Sequence, residues 1–374
     1  MRVQVWRRLD YLLLLTIAGL AVYGVLMVHS ATCPFPCEPF ALYTSMGLRQ
    51  ALYVVVGVAA MIAAAAIHWR GYRTLAYWAY GLSLVLLAVV LVVGHREAEL
   101  GVRRWIRLGP VDLQPSEMAK LAMVLALGRF FTDREGPLSF RRAIGSILVL
   151  LPPLGLVFLQ PDLGTSLSFV CIWFGMLVMA GARPLHLGLM TLAAVLAAPG
   201  GWLILREYQR ARVATFVTTL INPEADPFGE GYNIIQARIS IGSGGMFGRG
   251  WLEGSQTQLA YLRVSQSDFI FSVLAEETGF IGAMVLFALF VLLLFRVVRV
   301  ADKAPDDFGR LVAFGIACML FFQSVVNLGA NLTLLPVTGV PLPLVSFGGS
   351  AMLTCFLAFG ILQSILIHRT RYRY

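Results

Sequence analysis

Long apolar runs dominate the chain, broken by short clusters of charge. Runs near 10–29, 50–68, 74–94, 114–131, 144–161, 163–181, 187–205, 268–296, 310–330 and 350–367 are each close to the length a helix needs to cross a bilayer, about 20 residues. The pattern predicts ten helices. Only Gln-Pro-Asp separates the fifth from the sixth, so a tight turn is expected there. A polar stretch over 206–267 separates the seventh from the eighth and reads as one large loop. The segment 331–350, NLTLLPVTGVPLPLVSFGGS, is apolar but carries Pro336, Pro341 and Pro343, which a regular helix does not accept. Irregular backbone at membrane depth survives only when buried in protein or lining a cavity, so this segment is expected to fold back and wall a site.

Composition agrees. Of 374 residues, 58% are hydrophobic and 13% charged, with mean hydropathy +0.78. Soluble domains carry about a quarter charged residues, so lipid must be part of the solvent. The expected fold class is an all-α polytopic integral membrane protein, a single membrane domain over 1–374. The net charge of +9 comes from 29 basic residues, of which only Lys120 and Lys303 are lysines. They lie in short inter-helix clusters, a distribution that suits membrane topology and anionic headgroups and argues against a nucleic-acid partner. With a cytoplasmic N-terminus, 17 positive charges fall in the inner short loops, among them Arg8, Arg73, Arg141, Arg142 and Arg310. Five fall in the opposite set, Arg49, Arg96, Arg103, Arg104 and Arg107. Both termini are therefore expected in the cytoplasm, with the 206–267 loop outside it.

That orientation starts the fourth, sixth and eighth helices on the extracytoplasmic side, and each starts with a carboxylate: Glu117, Asp162 and Asp268. Taken singly, each suits a helix N-terminus, where unpaired N–H groups and the dipole favour anions. Asp162 reads as an N-cap. Lys120, three residues after Glu117 on one face, reads as its ion-pair partner. The stretch VSQSDFIFSVLAEETGF resists that account, because Asp268, Glu276 and Glu277 cannot all be caps and intramembrane acids are functional candidates by default. Asp268, Ser272 and Glu276 drift along one helical side, whereas Glu277 points away. The same end of the bundle collects Arg49, Arg104, Arg210 and Arg212, and arginine's fork suits phosphate. Carboxylates with arginines suggest a phosphate-bearing substrate and an acid–base partner. The glycine-rich ISIGSGGMFGRG, 239–250, is expected to offer backbone N–H groups to an anion. Cys33 and Cys37 flank Pro-Phe-Pro, and either a disulfide or two thiols would suit them. No P-loop, dinucleotide fingerprint, zinc spacing or nucleophilic triad is present.

RRWIRLGPVDLQPSEMAK, QPDLGTSL, YQRARVATF, NPEADPFGEGYNIIQARISIGSGGMFGRGW, DFIFSVLAEETG and PVTGVPLPLVSFGGSA follow one another in the order of a known family. The sequence resembles the SEDS family (shape, elongation, division and sporulation), polytopic glycosyltransferases that polymerise peptidoglycan from lipid II. It looks closer to the elongation branch than to the division branch. The resemblance implies Asp268 as catalytic residue and Arg49, Arg104, Glu117, Lys120 and Asp162 as site residues. Arg210 and Arg212 join them as substrate-binding candidates on position alone. It implies an active site at the outer face of the cytoplasmic membrane, the release of undecaprenyl pyrophosphate, and a class B penicillin-binding transpeptidase as partner, with elongation proteins more loosely attached. A divalent cation, magnesium or manganese, would suit the departing pyrophosphate. LRVSQSD departs from the family text before this aspartate, which puts a neighbouring family Glu or His in doubt but leaves Asp268 in place. The rival reading is a lipid-linked precursor flippase or ion-coupled transporter, for which Lys120, Glu276 and Glu277 would be coupling groups.

Overall fold

The computed structural model describes residues 8–33, 46–96, 102–108, 111–133, 136, 138–222 and 231–368. Cys37, six of the inner-set arginines (2, 7, 134, 369, 371 and 373) and the 223–230 part of one motif lie outside the described residues. The helices are α1 (Tyr11–Thr32), α2 (Met46–Ala66), α3 (Trp69–Val93), α4 (Pro115–Thr132), α5 (Phe140–Gly145), α6 (Ile147–Leu159), α7 (Leu163–Met179) and α8 (Pro184–Ile204). They continue with α9 (Glu207–Ile221), α10 (Tyr232–Ser243), α11 (Ser255–Gln258), α12 (Ile270–Lys303), α13 (Asp307–Asn331) and α14 (Gly349–Ile367).

Eight segments of the described residues are long and apolar enough to cross a membrane, α5 and α6 counting as one. Helices α4 and α7 occupy the fourth and sixth expected runs. The first carries Glu117, Lys120 and Arg129, and the second has 17 residues. Side chains such as Leu15, Val92 and Leu148 stay exposed on the outside, as an apolar surrounding requires, while α13 and α14 are mostly buried. Helix α14 packs on α2, α4 on α3, and α13 on α12, α7 and α4. Short polar residues start several of these helices: Asp10 accepts from Leu13 N at 3.0 Å, and Asp306 from Gly309 N at 2.9 Å.

Three features depart from the expected pattern. The charged stretch before α4 is a small antiparallel ribbon, β1 (His95–Arg96), β2 (Arg103–Leu108) and β3 (Val111–Leu113), with His95 opposite Trp105 and Ile106 opposite Leu113. The fold remains essentially helical, and the ribbon's work is to aim Arg104. Half of the 206–267 stretch, expected as a loop, is helical, in α9, α10 and α11. The third departure is a break in α12 at Gly279, whose φ of 66° and ψ of −164° interrupt the helix after nine residues. The remaining 24 residues rise about 36 Å, enough for a bilayer core.

The glycine-rich loop closes that break. Arg249 N and Gly250 N donate to the carbonyls of Glu276 and Glu277, each at 3.0 Å. In return Phe280 N donates to Gly245 O at 2.8 Å and Ile281 N to Met246 O at 3.1 Å. The expectation that this loop offers its N–H groups to an anion is thereby corrected, since two of them satisfy carbonyls freed by the broken helix. The close approach needs glycine. A Cβ on Gly248, at φ +83°, would stand 2.0 Å from Glu277 O, whereas one on Gly242 would meet nothing within 4 Å. Gly248→Ala is therefore expected to lower stability by about 2–3 kcal/mol, as a strained backbone with broken bonds does. Gly242→Ala is expected to leave the thermal midpoint nearly unchanged, and both are read by thermal unfolding in detergent.

Candidate active site

Asp268 lies just before α12, partly buried, in a turn held from three sides. Its backbone carbonyl accepts from Asn331 Nδ2 at 2.8 Å and Asn327 Nδ2 at 3.2 Å, both at the end of α13. Asn331 Oδ1 in turn accepts from Ser272 Oγ at 2.7 Å and Ser272 N at 3.2 Å, which locks the first turn of α12 to the same side chain. From the irregular segment, Ser346 Oγ donates to Ser267 O at 2.6 Å and Phe347 N to Gln266 O at 2.9 Å. Gln50 Nε2 on α2 donates to Ser346 O at 3.0 Å. The 331–350 segment thus walls the aspartate as its prolines implied, and Gly339 brings its backbone close to the carboxylate.

The carboxylate itself is left available. Ser267 Oγ donates to Oδ1 at 3.1 Å, and the charges that act on it are Arg212, Asp162 and Arg104. Burial is the largest influence and pushes its pKa above the usual 3.8. The Ser267 hydrogen bond opposes that rise, Arg212 also opposes it, Asp162 adds to it, and Arg104 opposes it more weakly. Four of the expected residues, Asp268, Asp162, Arg104 and Arg212, are therefore brought into one electrostatic neighbourhood.

Each of the other three in that group has a local reason for its place. Asp162 is the N-cap of α7, accepting from Thr165 N at 3.0 Å and Thr165 Oγ1 at 2.8 Å. Arg104, on β2, donates Nε to Gln160 O at 3.0 Å and Nη2 to Pro161 O at 2.6 Å, so the ribbon clamps the α6–α7 turn. Its Nη2 is also 3.3 Å from the Tyr208 hydroxyl, which donates to the same Pro161 carbonyl. Arg212, one turn along α9, sits over the Tyr208 ring at 5.9 Å.

The remaining candidates sit apart from this cluster. Arg49 lies at an apolar cavity of about 340 Å³ with Leu52, Tyr53, Val56 and Leu113. Arg210 donates to the carbonyls of Trp202 and Leu203 at 3.1 and 2.7 Å, finishing the C-terminal end of α8. Lys120 and Glu117 are closed on each other, Nζ to Oε1 at 2.7 Å, both fully buried. The two glutamates of the eighth run hold neighbouring segments. Glu276 accepts from Gln256 N at 2.8 Å, Thr257 Oγ1 at 3.0 Å, Thr257 N and Ser255 Oγ at 3.3 Å, while Glu277 accepts from Ser30 Oγ on α1. Glu276 is thus committed to the start of α11.

Tyr208, Asn327 and Asn331 were not anticipated. The asparagines had a signal, two amides four residues apart in an otherwise apolar helix, where an unpartnered polar group is expensive. Among the described residues no group of three or more His, Cys, Asp or Glu could hold a metal ion. A cation would have Asp268 and Asp162, the second already engaged by Thr165, and would need phosphate oxygens and water to fill its shell.

The fold and the site define a polytopic integral membrane protein with a carboxylate–arginine centre at one end of its helix bundle. The chain belongs to the SEDS family, the family of FtsW, RodA and SpoVE: the family model described as "Cell cycle protein" matches residues 10–371. Peptidoglycan glycosyltransferase MrdB of Escherichia coli K12 is 39% identical over 363 residues, covering 96% of this chain and 94% of its own length. Stage V sporulation protein E of Bacillus subtilis is 36% identical over 367 residues, covering 95% and 96%. Among solved structures, a chain from work on the coordination of polymerization and crosslinking by a peptidoglycan synthase complex superimposes with a TM-score of 0.80. Its identity is 33%, over 97% of this chain and 99% of that one. The rod shape determining protein RodA of Thermus thermophilus gives 0.70 at 32% identity, covering 98% of each.

Proposed function

We propose that this chain is a peptidoglycan glycosyltransferase that polymerises lipid II into glycan strands at the outer face of the cytoplasmic membrane during cell elongation. The single observation that carries the reading is Asp268: a carboxylate with a free oxygen, raised in pKa, within the electrostatic influence of Arg212 and Arg104 at the end of a helix bundle. The names of two relatives, a peptidoglycan glycosyltransferase and a rod shape determining protein, support it.

In this reading Asp268 accepts the proton of the sugar 4-hydroxyl as that oxygen attacks the anomeric carbon of the lipid-linked strand. A new glycosidic C–O bond forms, and the anomeric C–O bond to pyrophosphate breaks. The electron pair leaves with undecaprenyl pyrophosphate, whose charge Arg212 and Arg104 are placed to meet. The lipid tails remain in the bilayer, which is why the site stands at helix ends. A divalent cation carried by the pyrophosphate would add charge neutralisation beside Asp268. Glu117 and Lys120 support the opening of α4, Arg49 offers a second phosphate contact beside an apolar cavity, and Arg210 positions α9. The synthase-complex relative supports a class B penicillin-binding transpeptidase as partner.

The test is polymerisation. Purified chain with its transpeptidase partner, incubated with lipid II, is expected to yield glycan strands and undecaprenyl pyrophosphate. Lipid II that changes leaflet in proteoliposomes while no polymer forms would favour the flippase reading and overturn this one.

A further inference from the structure

Three helices of the bundle open on an aspartate and use it in the same way. Asp10, Asp162 and Asp306 are the N-caps of α1, α7 and α13. Each side chain accepts from the N–H three residues on: Leu13 N at 3.0 Å, Thr165 N at 3.0 Å and Gly309 N at 2.9 Å. Such N–H groups have no partner within their own helix, and a short carboxylate beside them ordinarily takes them. Helix α12 departs from this rule. Its N-cap is Phe269, which has no side-chain bond to give, and Asp268 is the next residue out. The corresponding N–H, that of Ser272, reaches Phe269 O at 3.0 Å and Asn331 Oδ1 at 3.2 Å. The side-chain oxygen that caps α12 therefore comes from the last turn of α13, and the Asp268 carboxylate accepts from Ser267 Oγ at 3.1 Å instead.

The Asn331 amide is built into this place. Oδ1 also accepts from Ser272 Oγ at 2.7 Å, while Nδ2 donates to Asp268 O at 2.8 Å and to Asn327 O at 2.9 Å. It thereby bridges the Asp268 carbonyl and the N–H four residues on, the two groups that a helix extended back to Asp268 would join directly. Asn331 is fully buried, and the end of α13 that carries it is closed by Leu334 N on Gly329 O at 2.8 Å. A buried asparagine needs partners, but its own helix supplies them to Nδ2 alone. Both bonds at Oδ1 come from α12.

We propose that Asn331 is a positioning residue for the reaction: by capping α12 from a neighbouring helix it spares the Asp268 carboxylate that duty and leaves it to the substrate. This role rests on Asp268 being the base. Without the amide, the carboxylate turns to the N–H groups that open α12, as the other three aspartates do. A carboxylate bonded there is held in its charged form, so it becomes a weaker base and points away from the sugar hydroxyl. The charges that act on Asp268 from the surrounding elements, Arg212 on α9, Asp162 at the start of α7 and Arg104 on β2, are the same in every variant that tests this.

The test is the pH profile of strand formation from lipid II, by the full chain with its transpeptidase partner. N331S keeps a donor for Asn327 O, four residues back on the same helix, but is too short to bridge Ser272 and Asp268. It is expected to lower kcat about 10- to 100-fold with little change in KM for lipid II, as a misplaced catalytic group does. The acid side of its profile is expected to move down by about one pH unit. N331D retains an oxygen for Ser272 N and adds a negative charge, so its acid side should stand at or above the wild-type position. S324A, in the same helix and bonded only to Leu320 O at 2.8 Å, is expected to match the wild type. A wild-type profile in N331S overturns the proposal. So does a loss of rate or of thermal midpoint with the profile unmoved, which is what an amide serving stability alone would give. Where N331S does not fold, N331D decides: a downward move of its acid side overturns the proposal. Full polymerisation by D268N is a separate failure, because it removes the base itself.

Discussion

Asp268→Asn is expected to abolish polymerisation while leaving the protein folded and, at neutral pH, more stable than the wild type. A positioned general base contributes about 10²- to 10⁴-fold, so strand formation from lipid II should fall by that order. The stability gain follows from the environment of the carboxyl. Burial raises its pKa in the folded state above the 3.8 it has when free, so the folded state binds the proton more tightly than the unfolded state does. Ionisation therefore disfavours folding. The penalty is absent below the unfolded pKa, grows as pH rises through it, and is complete above the folded pKa. Asparagine carries no such penalty, so the thermal midpoints of the two proteins should coincide in acid and diverge towards neutrality. A midpoint gap that does not change with pH would contradict the assignment, and so would full polymerisation by the variant.

The same carboxyl sets the acid side of the activity profile. A base acts when deprotonated, so activity should rise with pH through a value above the ordinary carboxylate range. Arg212 is the largest charge holding that value down, and Arg212→Gln should displace the rise to higher pH as well as weaken phosphate binding. The shift distinguishes it from Arg210→Gln, which removes contacts to the end of α8 and leaves the charges that act on Asp268 in place.

What the sequence made legible follows the range of the interactions concerned. Apolar runs, the Asp162 cap and the Glu117–Lys120 pair depend on residues within one or two turns, and their spacing is visible in the string. The prolines of 331–350 announced an irregular segment for the same reason. The helix break at Gly279 was hidden, because nothing local distinguishes it from a tolerated glycine. Its cause is the 244–250 loop, some 30 residues earlier, whose backbone enters the gap. Glu276 likewise binds α11, some 20 residues earlier, a partner that its place on the helical wheel does not show. The asparagines under Asp268 come from α13, 59 and 63 residues further on, a pairing only the packed bundle creates. Arg49 and Arg210 illustrate the converse. Sharing an end of the bundle with Asp268 was readable, but sharing its pocket depended on a ribbon and on the angle of α9.

The other large effect is expected in the buried pair of α4. Lys120 and Glu117 sit 2.7 Å apart with side-chain exposures of 1% and 3%, and each neutralises the other where water cannot. Lys120→Met leaves an uncompensated carboxylate in that interior, and breaking a buried pair in this way costs about 3–5 kcal/mol. Glu117→Gln should cost a similar amount by stranding the ammonium. Removing both charges is a different perturbation. E117M/K120M leaves no charge to desolvate and preserves side-chain volume, so it should recover most of the loss and melt near the wild type. The double-mutant cycle therefore predicts a coupling of several kcal/mol, read from the thermal midpoints of four proteins in one detergent. Additive losses would mean that the pair is reached by water and contributes little. Polymerisation by the double variant then divides support from substrate contact: activity that returns with stability makes the pair a brace for the α4 entrance. A variant that melts like the wild type but forms no strands would place Lys120 against the pyrophosphate, which requires α4 to expose it when substrate binds.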